Sequence, residues 1–179
     1  SIGHVGYALI GLSVGSEAGI RAVLIYLAIY LFMNIGTFAC ILCMRRGGRM
    51  VEGIDDLAGL GKTHPMIAMA LAIFMFSMAG IPPLAGFFGK LYVFQAAIAA
   101  ELYTLAIIGV LTSVVGAFYY LRIIRIMYFD EAEDPLDQSV DREIGALLTL
   151  TGILIVAFIA YPEPLVSNAA AAAASLFSS

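Results

Sequence analysis

Lys90 is the residue in this chain whose type and place most plainly point to chemistry. It is the only Asp, Glu, Lys or Arg between Lys62 and Glu101, and it lies seven residues after Pro83 inside an apolar stretch. A charge at mid-bilayer costs at least about 2.5–3.5 kcal/mol, so an intramembrane lysine is by default a functional group that faces water or a partner. Its ammonium can take up and release a proton where a water path reaches it. The bland alternative is snorkelling, with the stem buried and the ammonium among the headgroups. A nearby proline break keeps that alternative open.

The break is the run Gly80-Ile81-Pro82-Pro83-Leu84-Ala85-Gly86-Phe87-Phe88-Gly89. Proline removes backbone donors and glycine loosens the chain, so Gly80, Pro82, Pro83, Gly86 and Gly89 predict free carbonyls beside Lys90. Irregular backbone at membrane depth persists where it is buried in protein or lines a wet cavity, and transporters build ion sites there. The plainer reading is a tight turn between two helices. Other polar groups extend a possible path. His4 lies in the first apolar run and carries an imidazole suited to proton relay. Tyr26, Tyr30 and Asn34 are spaced by four and share a helix face, and Tyr119 and Tyr120 precede Arg122. Hydroxyls and an amide order water without holding a proton; for each, an ordinary interhelical hydrogen bond is the competing reading. Glu101 is eleven positions after Lys90, about 16 Å along a helix, and is expected at the interface. Cys40 and Cys43 sit in an apolar helix without His or acidic neighbours, which favours packing over metal or redox use.

The elements that must position these residues follow from composition. Of 179 residues, 62% are hydrophobic and 12% charged, about half the roughly 25% usual in soluble domains; the mean hydropathy is +0.99. That disfavours a disordered chain and a soluble enzyme domain, and 9 basic against 13 acidic residues with no basic stripe disfavours nucleic-acid binding. At about 20 apolar residues per crossing, the chain has room for six transmembrane helices. The runs read as Ile2 to Val14, Ala18 to Met44, about 66–80, about 83–100, Leu102 to Phe129 and Gly145 to Tyr161. They are longer than barrel strands and apolar on every face, so the expected fold is an all-α polytopic bundle. The connector Met50 to His64 suits a short interfacial helix. An acidic connector, Asp130 to Glu143, holds Asp130, Glu131, Glu133, Asp134, Asp137, Asp141 and Glu143. Pro162-Glu163-Pro164 closes the sixth span, and the Ala-rich tail from Asn168 is either an interfacial helix or frayed. Loops alternating across the membrane put Arg21, Arg122, Arg125 and Arg142 on one side and Arg45, Arg46, Arg49 and Lys62 on the other. That is a tie on which the positive-inside rule is silent. The first run has no basic leader or cleavage signature, and the chain reads as part of a larger subunit.

Four stretches carry a family likeness: Ser1-Ile2-Gly3-His4-Val5-Gly6-Tyr7, the run Asp56 to Pro65, the run Ser77 to Lys90, and Tyr119-Tyr120-Leu121-Arg122. Together they resemble the C-terminal part of the antiporter-like membrane subunits of proton-pumping NADH:quinone oxidoreductase (respiratory complex I), the subunit N family in particular. The third stretch is the most specific. The resemblance implies fourteen helices with two inverted five-helix repeats, helices four to eight and nine to thirteen. This chain would then be the second repeat over 1–129, an acidic connector over 130–142, and a final helix with its tail over 143–179. It implies that helix twelve is discontinuous and bears a proton-path lysine, matched by Lys90, with His4 at a position often drawn into that path. Asn34 departs from the sister subunits, which carry lysine there. The function implied is proton translocation driven at a distance by quinone reduction, as one subunit of a bacterial inner-membrane translocase. NADH, flavin, iron–sulfur clusters and quinone would belong to partner subunits and no cofactor to this chain. The partners implied are other membrane and peripheral subunits, neighbouring antiporter-like subunits included. Two rivals stand beside this reading: a subunit of a related cation/proton antiporter, and a structural membrane subunit without its own proton path.

Overall fold

The computed structural model describes residues 2–51, 53–131, 136–137 and 142–178. They form helices α1 (Ile2–Ser13), α2 (Glu17–Cys43), α3 (Leu60–Thr63), α4 (Pro65–Ala79), α5 (Ala85–Ala99), α6 (Tyr103–Phe129), α7 (Arg142–Ala157) and α8 (Glu163–Phe177). A two-residue hairpin, β1 (Arg45–Arg46) with β2 (Arg49–Met50), and a 3-10 turn at Asp55–Leu57 lie between α2 and α3. Among the described residues the fold is all-α apart from that hairpin. Among the described residues, α2 and α6 are each long and apolar enough to cross a membrane, at 27 residues and about 40 Å.

Helix α2 is the axis of the bundle. It touches α1, α4, α5, α7 and α8, and its Ile25, Tyr26, Ile29, Met33 and Cys40 are almost wholly buried. Cys40 and Cys43 are both buried on this helix. Gly15, with φ +64°, ends α1, and Ser16 caps α2 by accepting the Gly19 N–H at 3.3 Å.

The order of contacts along α2 corrects one expectation. Phe74 of α4 packs on Gly36, where its ring would collide with any Cβ. Ser77 reaches Met33, and Gly89 of α5 lies against Ile29 and Tyr26. Rising numbers in α4 and α5 thus meet falling numbers in α2. The two 15-residue helices run in the same direction, each about 22 Å long and short of a 30 Å hydrocarbon layer. The segments expected as two spans, 66–80 and 83–100, do not double back on each other; their helices run on in one direction with a break at 80–84. The chain turns back only at Ala100–Leu102, where Glu101 is exposed with φ +60°. Helix α6 then returns: Gly109 meets Ile10 and Phe94, and Tyr128 meets Gly61 near the opposite end.

This changes which connectors share an end. The Asp137 carboxylate accepts the N–H groups of Gly47 (3.1 Å) and Gly48 (2.9 Å), and the Asp137 N–H donates to the Arg45 carbonyl at 2.7 Å. These bonds tie the acidic connector to the hairpin, so the ends of α2 and α6 lie together and the alternating placement is corrected. Arg45, Arg46, Arg49, Lys62, Arg122, Arg125 and Arg142 gather toward this end, with Arg21 toward the other and Lys90 between them; seven, one and one account for all 9 basic residues. The remainder of the acidic connector, 132–135 and 138–141, lies outside the described residues. The short interfacial helix expected over 50–64 is smaller than foreseen, the 3-10 turn and the single-turn α3, bent by 120° from α4. Arg46 and Asp56 pair there at 3.0 Å, each about one-third exposed, a surface pair worth about 1 kcal/mol at most. The Ala-rich tail does not fray: the Pro-Glu-Pro run that closes α7 opens α8, with proline in its first turn, and Ala169 and Ala173 are buried four apart.

Candidate functional site

The site is assembled where α4 stops. A helix leaves its last four carbonyls without intrahelical partners, here those of Phe76, Ser77, Met78 and Ala79. Gly80, in the left-handed region at φ +83°, turns the chain so that its own N–H reaches Ser77 O at 3.0 Å and the Ile81 N–H reaches Phe76 O at 3.1 Å. Two carbonyls remain, and the Lys90 ammonium takes both: Nζ donates to Met78 O at 2.9 Å and to Ala79 O at 3.3 Å. The negative end of the α4 dipole thus faces the positive charge.

The start of α5 is held beside that end. Ser77 Oγ accepts the Gly86 N–H at 3.0 Å and donates to Met33 Sδ at 3.0 Å, so one buried hydroxyl ties α5 to α4 and α2. A Cβ on Gly86 would collide with the Ser77 carbonyl, and one on Gly89 would come within 3.1 Å of the Tyr26 ring; both glycines permit close helix approach. Pro82 and Pro83 are exposed in the break and bring no N–H that would need a partner.

Two residues not foreseen from the sequence complete the surroundings of Lys90. Ser113 Oγ on α6 accepts the third N–H at 2.8 Å, and the Tyr7 ring on α1 lies 5.0 Å from Nζ, within cation–π range. Lys90 is 6% exposed, and among the described residues no carboxylate pairs with it. Tyr7 was findable, being three positions after His4 on one helix face; Ser113 had only the weak signal of a hydroxyl inside an apolar run.

His4, also buried, lies between two phenols, with Nδ1 2.6 Å from the Tyr26 hydroxyl and Nε2 2.8 Å from that of Tyr120. A neutral imidazole donates from one nitrogen and accepts at the other. Exchange of tautomers therefore reverses both bonds and passes a proton across the ring. Tyr30 stacks on His4 at 4.8 Å, and Tyr7 meets it edge-on at 5.9 Å. The structure thus brings together His4, Tyr26, Tyr30 and Tyr120 from the residues singled out by sequence. It leaves two aside. Tyr119 is 61% exposed and packs on Phe118, and among the described residues no hydrogen bond joins half-buried Asn34 to the cluster.

Lys90, Tyr7, His4 and Tyr120 all line one cleft between α1 and α6, of about 390 Å³, with Gly3, Gly6, Thr112 and Gly116 in its wall. A Cβ at Gly3, Gly6 or Gly116 would meet nothing within 4 Å, so these glycines leave space. A single water needs about 10–15 Å³ of such volume together with polar partners; the cleft has the volume, and Lys90, Thr112, His4 and Tyr120 place polar groups in its otherwise largely apolar wall.

Residues 1–116 match the family described as NADH:quinone oxidoreductase/Mrp antiporter, TM. The chain is 61% identical over 177 residues to NADH-quinone oxidoreductase subunit N of Paramagnetospirillum magneticum, covering 99% of this chain and 36% of that protein. It is likewise 61% identical, over 98% of its length and 36% of the relative's, to the subunit N of Rhodospirillum rubrum. It spans a little over a third of the length of these curated relatives. Among solved structures, a chain of respiratory complex I from Thermus thermophilus superposes with a TM-score of 0.74 at 27% identity, over 92% of this chain and 37% of that one. A chain of the Mrp complex from Dietzia superposes at 0.84 with 22% identity, over 98% and 41%, a likeness of fold alone.

Proposed function

The chain belongs to the NADH:quinone oxidoreductase/Mrp antiporter membrane family, and from that membership we propose that it works as part of a proton-translocating membrane-arm subunit, with Lys90 as its proton carrier. The observation that carries this reading is the setting of Lys90: an isolated ammonium held by two helix-end carbonyls and a hydroxyl, opening on a cleft shared with His4. Protons would pass between Lys90 and one side of the membrane through water in that cleft, with His4, Tyr26 and Tyr120 as the relay. Quinone reduction in partner subunits would change the field or hydration that decides when Lys90 loads and empties. Redox cofactors would sit on those partners, among them neighbouring antiporter-like subunits in a bacterial inner membrane.

With α4 and α5 as one broken traverse, the crossings we assign are α1, α2, the α4–α5 pair, α6 and α7, one fewer than six. Residues 1–129 then supply four helices of the second five-helix repeat, 130–142 the connector, and 143–179 the final helix and tail. The end of the bundle that gathers seven of the nine basic residues is assigned to the cytoplasm, since Lys and Arg concentrate there. The subunit N relatives favour the oxidoreductase over a free-standing antiporter. Against a purely structural role stands the burial of Lys90 without a carboxylate partner among the described residues.

Replacing Lys90 by Ala in the assembled complex tests the assignment. Proton pumping is expected to fall well below wild type for the same quinone reduction, and full pumping with normal assembly would sink it.

A further inference from the structure

We propose that Ser113 is a positioning residue that keeps Lys90 hydrogen-bonded in both of its charge states and relays its proton to the cleft, an inference that rests on Lys90 being the proton carrier. An ammonium has three N–H groups, and Lys90 meets three acceptors: Met78 O, Ala79 O and Ser113 Oγ. A neutral amine has two N–H groups and a lone pair. Carbonyl oxygens only accept, so Met78 and Ala79 keep the two N–H groups but cannot serve the lone pair. A hydroxyl donates as well as accepts. Ser113 is the one member of the cage that can answer both states.

The balance of the step follows. The third Nζ–H passes its proton to Ser113 Oγ while the hydroxyl releases its own proton to a water in the cleft. One N–H and one O–H break; one O–H forms on serine and one on water. The serine then carries a proton directed at the Nζ lone pair, and three hydrogen bonds remain around the nitrogen. Reloading is the reverse.

Two further observations fit. Ser113 does not itself line the cleft, but it lies four residues after Gly109 and three before Gly116, which do, and so shares their helix face. Its hydroxyl is also free to turn. Ser13, Thr37, Thr112, Thr151 and Ser167 each donate to a carbonyl three or four residues back, a common habit of helical hydroxyls. Among the described residues Ser113 makes no such bond, and its contact is with Lys90.

The test compares Ser113→Ala, Ser113→Thr and Ser113→Val in the assembled complex, measuring proton pumping per quinone reduced across about pH 6 to 9 together with the amount of complex. Alanine is expected to lower pumping about tenfold, the equivalent of one lost hydrogen bond to a charged group, and to move the pH midpoint of pumping. Threonine, which keeps the hydroxyl, is expected to restore both to within about twofold; valine, of the same size without it, is expected to behave as alanine. Wild-type pumping and pH midpoint in the alanine variant overturn the proposal, as does a threonine variant no better than valine. If alanine prevents assembly, the threonine–valine pair decides alone. Loss in Lys90→Ala with no loss in Ser113→Ala rejects the role of Ser113 and leaves the reading of Lys90 standing; full pumping in Lys90→Ala rejects that reading itself.

Discussion

At the scale of single residues, the site is a count of donors and acceptors. Each hydrogen bond to a charged group contributes about 1.5–3 kcal/mol, so three of them offset much of the cost of placing an ammonium in apolar surroundings. Lys90 was legible in the sequence because a lone charge in a 35-residue apolar stretch has no bland explanation of equal weight. Its partners were not, because hydroxyls inside spans are common and Ser113 is 23 positions away. His4 and Tyr120 are 116 positions apart, and no local pattern joins them. Sequence could not choose between Tyr119 and Tyr120 either; the rotation of α6 does, turning one outward and the other onto His4. Tyr120→Phe is therefore expected to slow proton pumping about fivefold, the worth of one ordinary hydrogen bond, while Tyr119→Phe leaves the rate at wild type. Pumping rates of the two variants, measured at equal complex content, check this.

At the scale of elements, prolines and glycines announced the break but not its direction. The same composition serves a hairpin between two helices and an interruption within one traverse; the difference lies in which α2 residues meet Phe74, Ser77 and Gly89. Gly86→Ala forces a methyl into the Ser77 carbonyl and is expected to cost about 1–3 kcal/mol, read as a lower thermal midpoint of the purified complex. The connectors carry a second prediction. Bonds from the Gly48 and Gly47 N–H groups hold the Asp137 carboxyl below the usual carboxylate range. A depressed value means that the latch contributes above the unfolded value, near 4, and is lost as pH falls through the lower folded one. Protection of the Gly47 and Gly48 amides, taken as exchange relative to the intrinsic rate at each pH, is expected to hold from neutral pH down to about 4, to be lost as pH falls further, and to be reduced at neutral pH in Asp137→Asn. Sequence gave no sign of this latch, since one aspartate among seven carboxylates in the connector is indistinguishable until the hairpin comes alongside.

At the scale of the whole molecule, the all-α membrane fold followed from hydrophobic content and from apolar runs too long and too uniform for barrel strands, whereas sidedness needed the topology. Four basic residues against four becomes seven against one once α4 and α5 count as a single crossing. Single cysteines placed at Arg49 and at Glu101 are expected to react with a membrane-impermeant thiol reagent from opposite sides, Arg49 from the cytoplasm; labelling of both from one side would reject the broken traverse. The central claim is narrower: Lys90 exchanges a proton and does not merely hold a charge. Lys90→Arg separates the two, because a guanidinium keeps the charge and does not release its proton. In purified complex reconstituted in liposomes, the measurement is protons moved per quinone reduced. The account predicts that the arginine variant assembles and loses pumping as the alanine variant does. An arginine variant with the wild-type ratio would contradict it.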